Sequence, residues 1–192
     1  MQDDTVYLVS SFQRSGSSMM MRCLEGGGMN ARYDTAQEVL NLYFGRGDYK
    51  PNPNGFYAVS LMADTPWPSF YDDNKGRLIK FPRFDFQYVA QGRYKMIFMN
   101  RNPKEILASM RMFTPYRSWG RATNAVYLHE IIKPALMRIL KKRGDFEILE
   151  LDYAAVVADP IKEFQKIQDF GFVIDVQKAA ALVDPTLYRL RL

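Results

Sequence analysis

The sequence predicts an α/β fold, a three-layer sandwich with a central parallel sheet, and two observations predict it. Four short runs are nearly continuous in apolar residues: Val6 to Ser10, Leu78 to Phe81, Lys95 to Asn100 and Phe146 to Leu151. Unbroken apolar runs of that length suit strands buried on both faces. Helical periodicity follows or separates them, at Ser17 to Leu24, Pro103 to Phe113, Trp119 to Lys142 and Ile161 to Phe170. Strands alternating with helices build a parallel sheet with a helical layer on each side, and ligands then bind beyond the carboxyl ends of the strands.

The bulk composition agrees. At 192 residues and 47% hydrophobic content the chain can bury one sizeable core, and a single domain over 1–192 is expected. The 26 basic and 21 acidic residues give a net charge of +5, which suits an anionic ligand but is too diffuse to point to nucleic acid. Cys23 is the one cysteine and His129 the one histidine, which excludes an intramolecular disulfide and any Cys- or His-rich metal site. No run approaches the ~20 apolar residues that span a membrane, and no N-terminal stretch resembles a signal peptide. The expected setting is cytoplasmic, with no metal.

The first strand ends in Ser10-Ser11-Phe12-Gln13-Arg14-Ser15-Gly16-Ser17-Ser18 and passes directly into a helical run, Met19-Met20-Met21-Arg22-Cys23-Leu24. Backbone N–H groups, hydroxyls and one guanidinium converge there ahead of a helix N-terminus, which is the physical recipe for holding a phosphate or sulfate. The Gly-x-x-x-x-Gly-Lys-Ser/Thr spacing of a nucleoside-triphosphate loop is absent. Residues 26–76 are rich in Gly, Pro, Asn and aromatics, and only Thr35 to Phe44 reads as helical. A long irregular stretch beside a ligand-binding edge suits substrate recognition, and 26–76 is expected to form an acceptor-side insertion.

The second strand, Leu78-Ile79-Lys80-Phe81-Pro82, carries a lysine near its tip. The third delivers Arg101 at its end, Pro103 is placed to start the next helix, and Ser109 follows eight residues after the arginine. His129 and Cys23 lie in helical patterns and read as packing residues. The fourth strand runs into Asp152-Tyr153 and then Ala158-Asp159-Pro160, and the chain closes on Arg189-Leu190-Arg191-Leu192.

Taken in order, these motifs resemble the sulfotransferase family that uses 3′-phosphoadenosine 5′-phosphosulfate (PAPS). The resemblance touches most of the chain except 26–76. It implies a P-loop NTPase-like sulfotransferase fold and transfer of a sulfuryl group from PAPS to a hydroxyl or amine by in-line displacement. By that resemblance Arg14, Ser15, Gly16, Ser17 and Ser18 would bind the 5′-phosphosulfate, while Arg101 and Ser109 would bind the 3′-phosphate. Lys80 would stand near the transferred group, and Arg14 and Lys80 would stabilise the charge that develops there. Cytosolic members place a histidine two residues after that lysine, where this chain has Pro82. Other branches use a glutamate after the first helix, and by spacing Asp34 or Glu38 would take the role of base, with Glu38 favoured. The basic tail at Arg189 and Arg191 is either solvated or a replacement for the basic loop that helps hold the 3′-phosphate in longer relatives. The expected acceptor is a small molecule or carbohydrate. Two other readings keep the anion site: a P-loop-like nucleotide kinase, and a non-catalytic nucleotide-binding protein.

Overall fold

The computed structural model describes residues 3–33, 52–57, 67–81, 86, 89–113 and 127–188. In chain order they form β1 (Val6–Ser11), α1 (Ser17–Gly26), β2 (Ala31–Arg32), α2 (Phe70–Asp73), β3 (Leu78–Lys80), β4 (Tyr94–Asn100), α3 (Pro103–Phe113), α4 (Lys133–Arg143), β5 (Phe146–Asp152), α5 (Tyr153–Ala158), α6 (Pro160–Asp169) and α7 (Val176–Ala181). A π-helical turn, Leu128–Ile132, leads into α4, and a short 3₁₀ turn, Pro185–Leu187, follows α7.

The five strands lie in the order β2-β3-β1-β4-β5, and every neighbouring pair is parallel. The central strand has Val9 level with Lys80 on one side and Ile97 on the other. From β1 the chain builds β2 and β3 on one flank, then crosses to β4 and β5 on the opposite flank. The carboxyl end of β1 is therefore the point where the winding reverses, and a crevice opens there in sheets of this kind.

The apolar runs sort by the two-residue period of a strand. Tyr7, Val9, Ile97 and Met99 pack with Met20, Met21, Leu24, Val156, Phe164, Ile167 and Phe172 from α1, α5, α6 and the loop beyond it. Val6, Leu8, Met96 and Phe98 face the other way, against Phe70, Leu136, Met137 and Leu140 from α2 and α4. Burial on both faces is the reason these strands read as unbroken apolar runs instead of alternating ones.

Within the described residues the expected strands and helices are present with shifts of a few residues at their ends, and several elements go beyond the sequence reading. The stretch expected to be an irregular insertion contributes β2, which pairs with β3 through Ala31 and Arg32, and α2, whose Phe70 is buried in the core. In its described part, the helix expected over Trp119 to Lys142 is a π-turn followed by α4. A π-turn leaves one extra residue per turn, and that shift disrupts the 3.6-residue pattern. The segment Thr35 to Phe44 lies outside the described residues.

Candidate anion-binding site

At the end of β1 the chain turns sharply. Arg14 adopts a left-handed backbone conformation with φ 66°, unusual for a residue with a side chain, and Gly16 follows at φ 93°. Glycine is required at the second position for two reasons. Its φ is one that L residues rarely adopt, and a Cβ there would stand 2.3 Å from Cδ2 of Tyr153. The Tyr153 ring thus lies directly on the turn. α1 begins immediately after Gly16, and no side chain caps it. The first N–H groups of α1 are thus without a side-chain cap among the described residues, the state in which a helix N-terminus can bind an anion.

The hydroxyls of the turn divide by environment. Ser15 is fully buried and, among the described residues, its Oγ has no hydrogen-bond partner. A buried hydroxyl in that state carries a desolvation cost that an anion in the crevice would relieve. Ser18 Oγ donates to the Phe56 carbonyl at 3.2 Å and accepts from Lys80 Nζ at 2.8 Å. Lys80 Nζ also donates to the Phe56 carbonyl, at 2.6 Å. Burial, with the Arg14 charge adding to it, pushes the Lys80 ammonium down to about 7. That destabilised cation is well suited to an anion.

Arg14 reaches across to α3. Its Nε donates to Ser109 Oγ at 3.0 Å, and an NH1 hydrogen reaches Asn52 Oδ1 at 3.3 Å. Arg101, at the tip of β4, donates through NH1 to the Arg14 carbonyl at 3.1 Å and through Nε to Glu105 Oε2 at 2.9 Å. Its guanidinium packs against a pair of touching rings, 4.7 Å from the centroid of Tyr153 and 5.2 Å from that of Tyr188. Tyr188 donates its hydroxyl to Glu105 Oε1 at 2.8 Å.

The structure therefore brings Arg14, Ser15, Gly16, Ser17, Ser18, Lys80, Arg101 and Ser109 to one edge of the sheet, although β1, β3 and β4 that deliver them are far apart in sequence. Asp34, Glu38, Pro82, Arg189 and Arg191 lie outside the described residues. His129 packs its ring on Phe12, with centroids 5.0 Å apart, and burial together with Lys133 holds its pKa below the usual value. Cys23 is buried in the core, where burial raises its thiol to about 12. Asn52, Phe56, Glu105, Tyr153 and Tyr188 join the site without having been singled out as site residues. Phe56 acts through its carbonyl, which no sequence pattern marks. Glu105 carried one signal, since an acid four residues after an arginine at a helix start is an i,i+4 partner.

No family model matches the chain, and no curated protein matches it. Among solved structures it is similar to the sulfotransferase domain of the Synechococcus PCC 7002 olefin synthase, at 15% identity and a TM-score of 0.55, over 100% of this chain and 89% of that one. It is also similar to retinol dehydratase in complex with androsterone and the inactive cofactor PAP, at 16% identity and a TM-score of 0.44. A second retinol dehydratase structure, with retinol and PAP, is matched at 17% identity and a TM-score of 0.42. The chain spans 64% of each retinol dehydratase chain. The all-parallel sheet and the first of these likenesses give the chain the sulfotransferase fold.

Proposed function

We propose that this sulfotransferase-fold chain moves a sulfuryl group from PAPS to a hydroxyl or amine of a small-molecule or carbohydrate acceptor. One observation carries the reading: three cations, Arg14, Lys80 and Arg101, meet a buried Ser15 hydroxyl and the uncapped start of α1 at the reversal point of the sheet. Such a set fits a ligand with negative charge at two separated positions. The 5′-phosphosulfate would lie over residues 14–18, and the 3′-phosphate would lie at Arg101 and Ser109.

In-line transfer forms a bond from the acceptor oxygen or nitrogen to sulfur and breaks the bond from sulfur to the bridging oxygen. The electron pair stays on the departing nucleotide phosphate, and the acceptor proton goes to a base. Catalysis of this kind rests on positioning and on donors aimed at the oxygen that gains charge. Lys80 and the N–H groups of α1 would supply those donors, and Arg14 would hold the phosphosulfate oxygens. Ser18 holds Lys80 Nζ beside the turn, so the ammonium is oriented before the ligand arrives. Asp34 or Glu38 would receive the acceptor proton, with Glu38 preferred. The protein's own cations offset the charge of the transferred group, and the reading calls for no metal.

Calorimetry with adenosine 3′,5′-bisphosphate tests the binding half, and no binding at millimolar nucleotide would end this reading. Transfer from PAPS to a panel of phenols, alcohols, sugars and amines tests the chemistry. Tight binding with no transfer across the panel would instead identify a non-catalytic nucleotide-binding protein.

A further inference from the structure

Arg101 is held by an unbroken series of contacts that begins near the far end of the chain. Tyr188 donates to one oxygen of Glu105, the other oxygen accepts from Arg101 Nε, and Arg101 NH1 donates to the Arg14 carbonyl. Both carboxylate oxygens of Glu105 are thereby engaged, and its buried position leaves little water to compete. The two aromatic rings add a second constraint. Tyr153 and Tyr188 meet edge to face at 4.9 Å and form a corner against which the guanidinium packs, at 4.7 Å from one centroid and 5.2 Å from the other.

We propose that Tyr188 is a positioning residue of the anion site, fixing the plane of Arg101 through Glu105 and through its own ring. The inference rests on the reading of Arg101 as the 3′-phosphate ligand. Its physical content is pre-organisation. An arginine side chain loses substantial rotamer freedom when it is ordered, and a bidentate contact to phosphate requires the fork to lie in one plane. Glu105 and the Arg14 carbonyl fix two of the Arg101 nitrogens, and the corner formed by Tyr153 and Tyr188 backs the guanidinium so that it cannot swing away from that plane. The Tyr188 hydroxyl also turns Glu105 so that its second oxygen does not compete for the guanidinium. Burial and the bond to Glu105 raise the phenol to about 12, so it remains a donor at neutral pH. The 3₁₀ turn at Pro185–Leu187, with Asp184 accepting from the Thr186 N–H, sets the position of Tyr188 just after it. Tyr188, beyond α7, is thus part of the proposed nucleotide site.

The test compares adenosine 3′,5′-bisphosphate with adenosine 5′-phosphate on wild-type protein, Tyr188→Phe and Tyr188→Leu. Phenylalanine keeps the ring and removes the donor, and a loss of about threefold to tenfold for the bisphosphate is expected, the scale of one net hydrogen bond. Leucine removes the ring as well and should lose more. Affinity for the 5′-phosphate should stay within about twofold in both variants, which a general loss of folding would not produce. Equal losses for the two nucleotides, or no loss for the bisphosphate, would overturn the role of Tyr188 while leaving the proposed function intact. A wild-type protein without preference for the bisphosphate would overturn the 3′-phosphate reading itself, and the role of Tyr188 with it.

Discussion

Arg14 and Ser109 are 95 residues apart in sequence, yet Arg14 Nε donates to Ser109 Oγ at 3.0 Å. One belongs to the turn that would hold the 5′ end of the nucleotide, the other to the helix that would hold its 3′ end. The two halves of the site are therefore in direct contact, and they should not respond to mutation as separate units. In a double-mutant cycle with Arg14→Ala and Ser109→Ala, bisphosphate affinity should show a coupling of about 0.5–1.5 kcal/mol. Strict additivity would mean that the contact has no energetic consequence for binding.

Arg101 has two duties, because its NH1 also holds the carbonyl of Arg14, whose backbone conformation is strained. Arg101→Ala should cost the bisphosphate at least tenfold more affinity than it costs adenosine 5′-phosphate, and the monophosphate should lose some affinity too as the turn loosens. Titration of both nucleotides against the variant checks this. Equal losses would remove Arg101 from the 3′ subsite.

Gly16→Ala should destabilise the fold by about 2 kcal/mol or more, since the new Cβ meets the Tyr153 ring and the backbone conformation disfavours any side chain. Urea unfolding would show it as a lower midpoint. A midpoint within the error of wild type would mean that the turn is not as rigid as its geometry requires.

Lys80 sets a pH dependence whose sign follows from its depressed pKa, about 7 in the folded chain against roughly 10.4 for an ordinary lysine. Between those values the unfolded chain holds more protons than the folded one, so stability from this group rises with pH across that window. Below pH about 7 both states carry the proton and the dependence vanishes. An anionic nucleotide restores the charge, so its binding near pH 8 should take up a proton and weaken as pH rises further. Calorimetry in two buffers of different ionisation enthalpy measures the uptake, and Lys80→Met should abolish it. Wild-type binding at pH 8 without proton uptake would refute the assignment.

The parts of this fold that could be read in advance are those with a local signature. The strands at Val6, Leu78 and Lys95 announce themselves because burial on two faces favours apolar residues at nearly every position. The edge strand at Phe146 keeps Glu147 and Glu150 exposed and shows only its apolar residues Phe146, Ile148, Leu149 and Leu151. The turn at Arg14 does so because a strand, a cluster of hydroxyls, a glycine and a helix follow one another without interruption. β2 escaped because two residues, Ala31 and Arg32, are too few to show a period. α7 escaped because Val176–Ala181 spans fewer than two turns. Asn52, Phe56 and Tyr188 escaped for another reason. Their roles depend on which distant residue they meet, and nothing in their neighbours' identities encodes that.

The bond from Lys80 Nζ to the Phe56 carbonyl has an evolutionary consequence. A backbone oxygen is the same whichever side chain its residue carries, so the aromatic-rich stretch around position 56 can drift in sequence without losing its tether to the third element of the sheet. Arg101 is anchored elsewhere, on Glu105, and Arg14 is held by the side chains of Ser109 and Asn52. Selection can therefore rework the side chain at position 56 while Asn52, Ser109 and Glu105, which act through their side chains, stay under constraint.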